Sequence, residues 1–274
     1  MKRSPDVTTA VYEARDELSP LLKKLDFRIF SRYNVGYLKY QKDPTAYFID
    51  VEIDRFLHTA NYINAIFPKS VRILDIGIFI PVLPITLAKL GYQVEAIEKL
   101  VLYENTLNPI LEYVQETYGL KIHDIDIISG DISELNAKFD IVLLMAVLEH
   151  LNGSPKGLLE KCKYLLKPSG NLFVEVPNIA SISKRISFFL KGKSPFPDYS
   201  DYFLSDYPFE GHNREYNFKE LEYALSMTGF EIRQVKYLSG KLFPGSKLQS
   251  HIMKGISKLR SNWRDVIWTV SRPG

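Results

Sequence analysis

Between residues 71 and 178, short apolar runs alternate with helix-patterned segments, and this alternation leaves few folds open. VRILDIG (71–77) is apolar without a two-residue period and ends in Asp-Ile-Gly, the pattern of a strand buried on both faces. A helix follows over 83–90 and closes at Gly91. YQVEAIEK (92–99) reads as a second strand, IDIISGD (125–131) as a third, FDIVLLMAVLEHL (139–151) opens a fourth, and NLFVEVPN (171–178) is a fifth. The intervening helices are predicted over 108–118, with Asn108 as cap and Pro109 first in the helix, and over 156–166. Strands and helices alternating at this spacing give an α/β, doubly wound, mostly parallel sheet. Right-handed crossovers put the strand C-termini on one edge, where ligands bind.

The flanks read differently. Residues 1–70 form a helical extension, with helical periodicity over 16–25 and 48–67 and a tyrosine-rich stretch between them. Residues 71–274 form the core, interrupted by a long aromatic connection over 179–216. A connection that long is read as a lid or insertion. Its aromatics (Phe188, Phe189, Phe196, Tyr199, Tyr202, Phe203, Tyr207) suit an acceptor roof, a peripheral membrane contact or a self-association surface. Lys184, Arg185, Lys191 and Lys193 read as a solvated face or as partners for an anionic substrate. After it come a helix over 217–230 capped by Asn217, a sixth strand (231–238), a short helix over 252–259 and a seventh strand (264–273).

Composition narrows the function. Lys and Arg total 35 against 32 Asp and Glu, a net charge of +3, too balanced to expect nucleic acid as the main partner. Cys162 is the single cysteine, so no intrachain disulfide or cysteine zinc cage can form, and a reducing, cytoplasmic setting is expected. The apolar run 76–88 contains Pro81 and Pro84 and is shorter than the roughly 20 residues a membrane span needs. The first residues lack the apolar stretch of a signal peptide. The five histidines show no HxH or HxxxH pair, so no metal centre is expected, and no GxSxG elbow supports a hydrolase.

The acids at the strand ends carry the chemistry. Glu98, at the end of the second strand, can accept hydrogen bonds from both hydroxyls of a ribose. Asp131, in SGDIS, is placed for an adenine amine. Asp75 completes a set of three acids on three successive strand ends, which favours a nucleoside ligand over three unrelated loop acids.

In these pieces, in their order, and in HNREYNFKELEYALSMTGFEI (212–232), the chain resembles the class I S-adenosylmethionine-dependent methyltransferases over about 170 residues. The resemblance implies a seven-stranded sheet of order 3-2-1-4-5-7-6 and S-adenosylmethionine as cofactor. It implies cofactor contacts from Asp75, Gly77, Ile78, Glu98, Lys99, Asp131, Ile132, Met145 and Ala146. A small-molecule or glycan acceptor would be methylated at oxygen or nitrogen. His150 and His212 are the candidate bases, and Glu149, Arg214 and Tyr216 the candidate substrate contacts.

One departure stands out. The family turn reads DIGxGxG, whereas here Phe79 and Pro81 replace the second and third glycines. Phenylalanine resists the positive φ that glycine permits, and proline lacks an amide donor. Either the turn is re-routed, with Pro81 opening the next helix, or the pocket is filled and the domain is a catalytically silent binding or scaffold subunit.

Overall fold

The computed structural model describes residues 5–133, 135, 138–194, 199–239, 255 and 259–274. Two compact units divide the chain: residues 1–32 with 36–143, and residues 33–35 with 144–274. Seven strands form one sheet: β1 (Arg72–Ile76), β2 (Gln93–Glu98), β3 (Lys121–Asp124), β4 (Phe139–Met145), β5 (Leu166–Pro177), β6 (Phe230–Leu238) and β7 (Val266–Pro273). Their order is β3-β2-β1-β4-β5-β7-β6, as the resemblance implies. β2 and β4 flank β1 in parallel and β3 extends β2 in parallel, while β7 runs antiparallel to both β5 and β6.

In the first unit, β1 buries four of its five residues, and Ile73, Leu74 and Ile76 are almost wholly out of water. α4 (Val82–Lys89) follows β1 and buries Val82 through Leu87. Around it lie α1 (Val7–Leu22), the short α2 (Phe27–Ser31) and α3 (Ile53–Ile66). α1 begins well before the predicted 16–25 because Asp6 caps it, its carboxylate accepting from Thr9 N–H at 3.0 Å. Lys89 on α4 ion-pairs with Glu13 and Glu17 of α1, and Tyr92 Oη donates to the carbonyls of Ile63 and Phe67 at the end of α3. These bonds and the buried face of α1 fasten the N-terminal helices to the β1–β2 layer.

Two corrections concern this unit. The third strand was predicted over 125–131, but β3 occupies Lys121–Asp124 and the predicted segment is a turn. The Asp126 carboxylate accepts from Ile128 N–H (3.0 Å) and Ser129 Oγ (2.9 Å), and such local side-chain bonds compete with ladder pairing. Meanwhile 121–124 pairs in register with Glu95 through Glu98. α5 (Asn108–Tyr118) makes Asn108 its first helical residue and Leu107 its cap, without a side-chain capping bond.

In the second unit, β5 and β7 pair side by side, and the buried rings of Phe173 and Trp268 on them meet edge to face at 5.6 Å. α6 (Lys156–Leu165) buries Leu158, Leu159, Cys162 and Leu165. The connection after β5 is not irregular throughout: it contains α7 (Ile182–Lys191) and α8 (Tyr199–Leu204), neither of which buries a residue. Phe188, Phe189, Tyr202 and Phe203 on these helices are exposed. Phe196 and most of the helix predicted over 252–259 lie outside the described residues.

α9 (Phe218–Met227) starts where its sequence says it should. Asn217 Oδ1 accepts from Glu220 N–H at 3.1 Å and Glu220 Oε2 accepts from Asn217 N–H at 3.0 Å, a reciprocal capping box. Asn217→Ala is expected to lower unfolding free energy by about 1 kcal/mol. Urea denaturation followed by far-UV circular dichroism reads this as a lower midpoint at unchanged slope; an unchanged midpoint contradicts the capping role.

Candidate functional site

The strand ends of the first unit hold a buried acidic rim. Asp75 lies near the end of β1 and Glu98 at the tip of β2, both buried. Burial, and then the neighbouring Glu98 charge, push the Asp75 carboxyl up to about 8. Burial also raises Glu98, although two main-chain amides work against it. Those amides define the turn. Phe79 N–H donates to Glu98 Oε2 at 2.7 Å and Lys99 N–H to Glu98 Oε1 at 2.8 Å. A carboxylate accepts about four hydrogen bonds, so each oxygen retains capacity for a further donor.

The turn after β1 uses backbone conformations that its sequence does not advertise. Gly77 takes φ +77° and its N–H donates to Ile97 O at 2.9 Å. Phe79 also takes a positive φ, +34°, at the position where glycine was expected. Its ring joins Phe30, Tyr37, Phe48 and Tyr103, with centroids 5.3–6.1 Å away. Pro81 stands at the cap of α4, two residues before the predicted helix start, where the missing amide removes no helical bond. Ile78 is buried.

Beside Glu98, Lys99 ion-pairs with Asp126 at 3.1 Å, and Leu100 N–H donates to Asp124 Oδ1 at 3.0 Å. Asp124 pairs with Glu98 in register, so it holds the strand-end position that the sequence reading gave to Asp131. Asp131 lies seven residues after the end of β3, exposed, accepting from Ser133 N–H and Oγ at 2.8 Å each. Ile132 next to it is buried.

The second unit gathers a different set. Met145 ends β4 half-buried, and Ala146 takes φ +59° while its N–H donates to Glu175 O at 3.0 Å. A single 3-10 turn then carries Leu148, Glu149 and His150. The segment before α9 is fastened to this turn. Asn213 N–H and Arg214 N–H donate to Glu149 O at 2.7 and 3.2 Å, and Asn213 Nδ2 donates to His150 O at 3.0 Å. His212 is thereby carried to His150, the two rings meeting edge to face at 5.0 Å.

Around these rings the polar groups are ordered. His212 Nδ1 lies 3.0 Å from Glu215 Oε1, and Lys184 ion-pairs with the other oxygen of Glu215. Burial opposes the Glu215 charge, but the bonds to His212 and Lys184 outweigh it and hold its pKa below the ordinary value. Burial, and then the His212 charge, push His150 down to about 3 against hydrogen bonds to the main chain at Gly211 and Glu210. His150 is therefore a neutral imidazole near neutral pH. Glu149 is fully buried, and one donor atom from each of Glu149, His150 and His212 lies within 4.8 Å of the others. Histidine spacing in the sequence gave no sign of this, because the partners are far apart along the chain. The adjacent Glu-His pair and the HxxE pattern at His212 and Glu215 were the available signals.

Arg214 and Tyr216 belong elsewhere. They line a cleft of about 610 Å³ together with Pro155, Lys219, Tyr223 and Met227, and neither Glu149 nor either histidine lines it. Arg214 ion-pairs with Glu220 at 2.8 Å. Tyr216 is buried, its hydroxyl pushed up to about 12 by burial, and donates to Leu148 O at 3.4 Å. Lys184, which the sequence offered to an anionic substrate, is turned to Glu215.

Comparison with known proteins follows the same lines. A family model described as a methyltransferase domain matches residues 45–235. A ubiquinone biosynthesis O-methyltransferase of Xylella fastidiosa (strain 9a5c) is 34% identical over 133 residues, which cover 44% of this chain and 50% of that protein. The chain thus spans about half the length of the curated relatives it matches. Magnesium protoporphyrin IX methyltransferase from Synechocystis PCC 6803, solved with bound S-adenosylhomocysteine, is similar at TM-score 0.57 and 12% identity, covering 88% of this chain and 96% of that one. The 1,6-didemethyltoxoflavin-N1-methyltransferase of Burkholderia thailandensis gives 0.56 and 13%, covering 94% and 89%. At such identities the two structures speak for the fold, which is that of the S-adenosylmethionine-dependent methyltransferases. With the family model spanning well over half the sequence, the chain belongs to the methyltransferase-domain family.

Proposed function

We propose that this chain is an S-adenosylmethionine-dependent methyltransferase acting on a small-molecule acceptor, by in-line displacement at oxygen or nitrogen. The observation that carries this reading is Glu98: a buried carboxylate at the tip of β2, held by two main-chain amides and still able to accept two more hydrogen bonds. That is the donor demand of a vicinal ribose diol, which offers two hydroxyls. The residues fit the cofactor at its other end as well. Asp75, buried with a raised pKa, suits the cofactor's ammonium group, and Gly77 and Ile78 follow it in the turn. Lys99, Asp131 and Ile132 are the proposed neighbours on the adenosine side. The relatives from Xylella and Xanthomonas named for ubiquinone biosynthesis O-methylation, and the toxoflavin and protoporphyrin enzymes, support a small-molecule acceptor over a glycan.

The cofactor, when bound, supplies an electrophilic methyl group on a sulfonium. The chain has to hold the acceptor, exclude water and dispose of its proton. We assign the proton handling to the cluster of Glu149, His150 and His212, where Glu215 fixes the His212 ring through Nδ1. The silent-scaffold alternative rested on Phe79 and Pro81; Phe79 takes a positive φ while its amide bonds Glu98, and Pro81 stands at the cap of α4, where its missing amide costs no helical bond.

Among the described residues no helix is long and apolar enough to cross a membrane. A cytoplasmic location is part of the proposal, as are peripheral membrane contact or self-association through the exposed aromatics of α7 and α8.

Isothermal titration with S-adenosylhomocysteine tests the reading, with one equivalent expected per chain. Glu98→Ala is expected to weaken that binding by about 1–3 kcal/mol, the range for losing hydrogen bonds to a charged group. Unchanged affinity would refute the ribose assignment. The Asp75 pKa adds a pH signature. A carboxyl with folded pKa about 8 must lose a proton to meet a cationic ligand. Affinity is therefore expected to fall as pH drops from 8.5 to 6, and to lose that slope in Asp75→Asn. A wild-type affinity flat over this range contradicts the assignment.

A further inference from the structure

We propose that Glu149, His150 and His212 form a mononuclear site for a divalent first-row transition metal. Three features of the second unit carry this inference. The first is the donor set: one carboxylate and two imidazoles, each offering an atom within 4.8 Å of the others. Donors around one cation at about 2.0–2.2 Å stand about 3–3.5 Å apart, so side-chain shifts of about an ångström assemble the sphere.

The second is the arrangement behind the donors. A metal-bound histidine has its other ring nitrogen fixed by a carboxylate or a carbonyl. Both rings here are fixed in that way: His212 through Nδ1 by Glu215, and His150 by the main chain at Gly211 and Glu210. His212 thus commits Nδ1 to Glu215 and keeps Nε2 as its ligand atom. Lys184 neutralises the far oxygen of Glu215, which keeps that carboxylate in place as an orienting group.

The third is the backbone that assembles the set. Asn213 and Arg214 amides clamp the Glu149 carbonyl, and Asn213 Nδ2 clamps the His150 carbonyl. The donors therefore sit on two fixed segments, not on long free side chains, as a metal site requires.

Two imidazoles and a carboxylate, with no thiolate, select zinc, manganese or iron over calcium and magnesium, which prefer all-oxygen spheres. Three protein ligands leave coordination positions open, as in catalytic sites. An oxygen of a hydroxyl-bearing acceptor can enter there, and a Lewis acid lowers the pKa of an oxygen it binds. This role rests on the methyltransferase reading; the site itself does not.

The test uses the full chain, stripped with EDTA, dialysed and titrated calorimetrically with ZnCl2, with bound metal counted by mass spectrometry. One equivalent is expected at this site, lost in both His150→Ala and His212→Ala. Glu215→Gln is expected to weaken it by about 10- to 100-fold, as removal of an orienting carboxylate does. No zinc binding by the wild type, or unchanged affinity in His212→Ala, overturns the proposal. If His150→Ala fails to fold, the half-exposed His212 carries the test. Titrating S-adenosylhomocysteine into the same samples separates the two readings. Cofactor binding without zinc sinks the metal site alone, and zinc without cofactor binding sinks the methyltransferase reading alone.

Discussion

The turn after β1 depends on one charge-assisted hydrogen bond, from Phe79 N–H to Glu98 Oε2 at 2.7 Å. It joins the end of the first strand to the tip of the second and decides where the Glu98 carboxylate lies. A phenylalanine in left-handed backbone costs about 1–2 kcal/mol. A bond to a buried charged acceptor contributes about 1.5–3 kcal/mol, and an aromatic pair about 0.5–1.5 kcal/mol. Phe79 makes the bond and packs against four other rings, so the strained conformation is outweighed locally. The glycine motif can be lost because what the turn needs is a positive φ and an amide aimed at Glu98, and both are present without glycine.

Each unit has its own electrostatic character. The first concentrates buried carboxyls at its strand ends, where burial raises both Asp75 and Glu98, so that Asp75 gives up a proton only when it meets a positive charge or a pH above about 8. In the second, burial and the neighbouring His212 charge lower His150 against its main-chain hydrogen bonds, while bonds to His212 and Lys184 hold Glu215 below its ordinary value.

What could be read from the sequence was set by locality. Apolar runs buried on both faces, Gly119 at the end of α5 and the Asn217–Glu220 box all signal their structure within a few residues, and the strand order followed from the family pattern. Three features were out of reach. The boundary of β3 moved because Asp126 captures nearby amides, a competition that hydropathy does not register. The conformation of Phe79 depends on aromatic partners recruited from 30 to 103. The Glu149–His150–His212 cluster exists only because the segment before α9 folds back onto the 148–150 turn, bringing together residues whose spacing suggested nothing. Asp131 is a different case: the sequence put it at a strand end, whereas it lies seven residues beyond β3, exposed and accepting from Ser133.

The most direct check of this account is a crystal structure of the chain with S-adenosylhomocysteine. The account requires both ribose hydroxyls within hydrogen-bonding reach of Glu98, with Phe79 keeping its left-handed backbone and its amide on the same carboxylate. Density for the nucleoside away from the tip of β2, or a Phe79 amide released from Glu98 to make room for it, would contradict it.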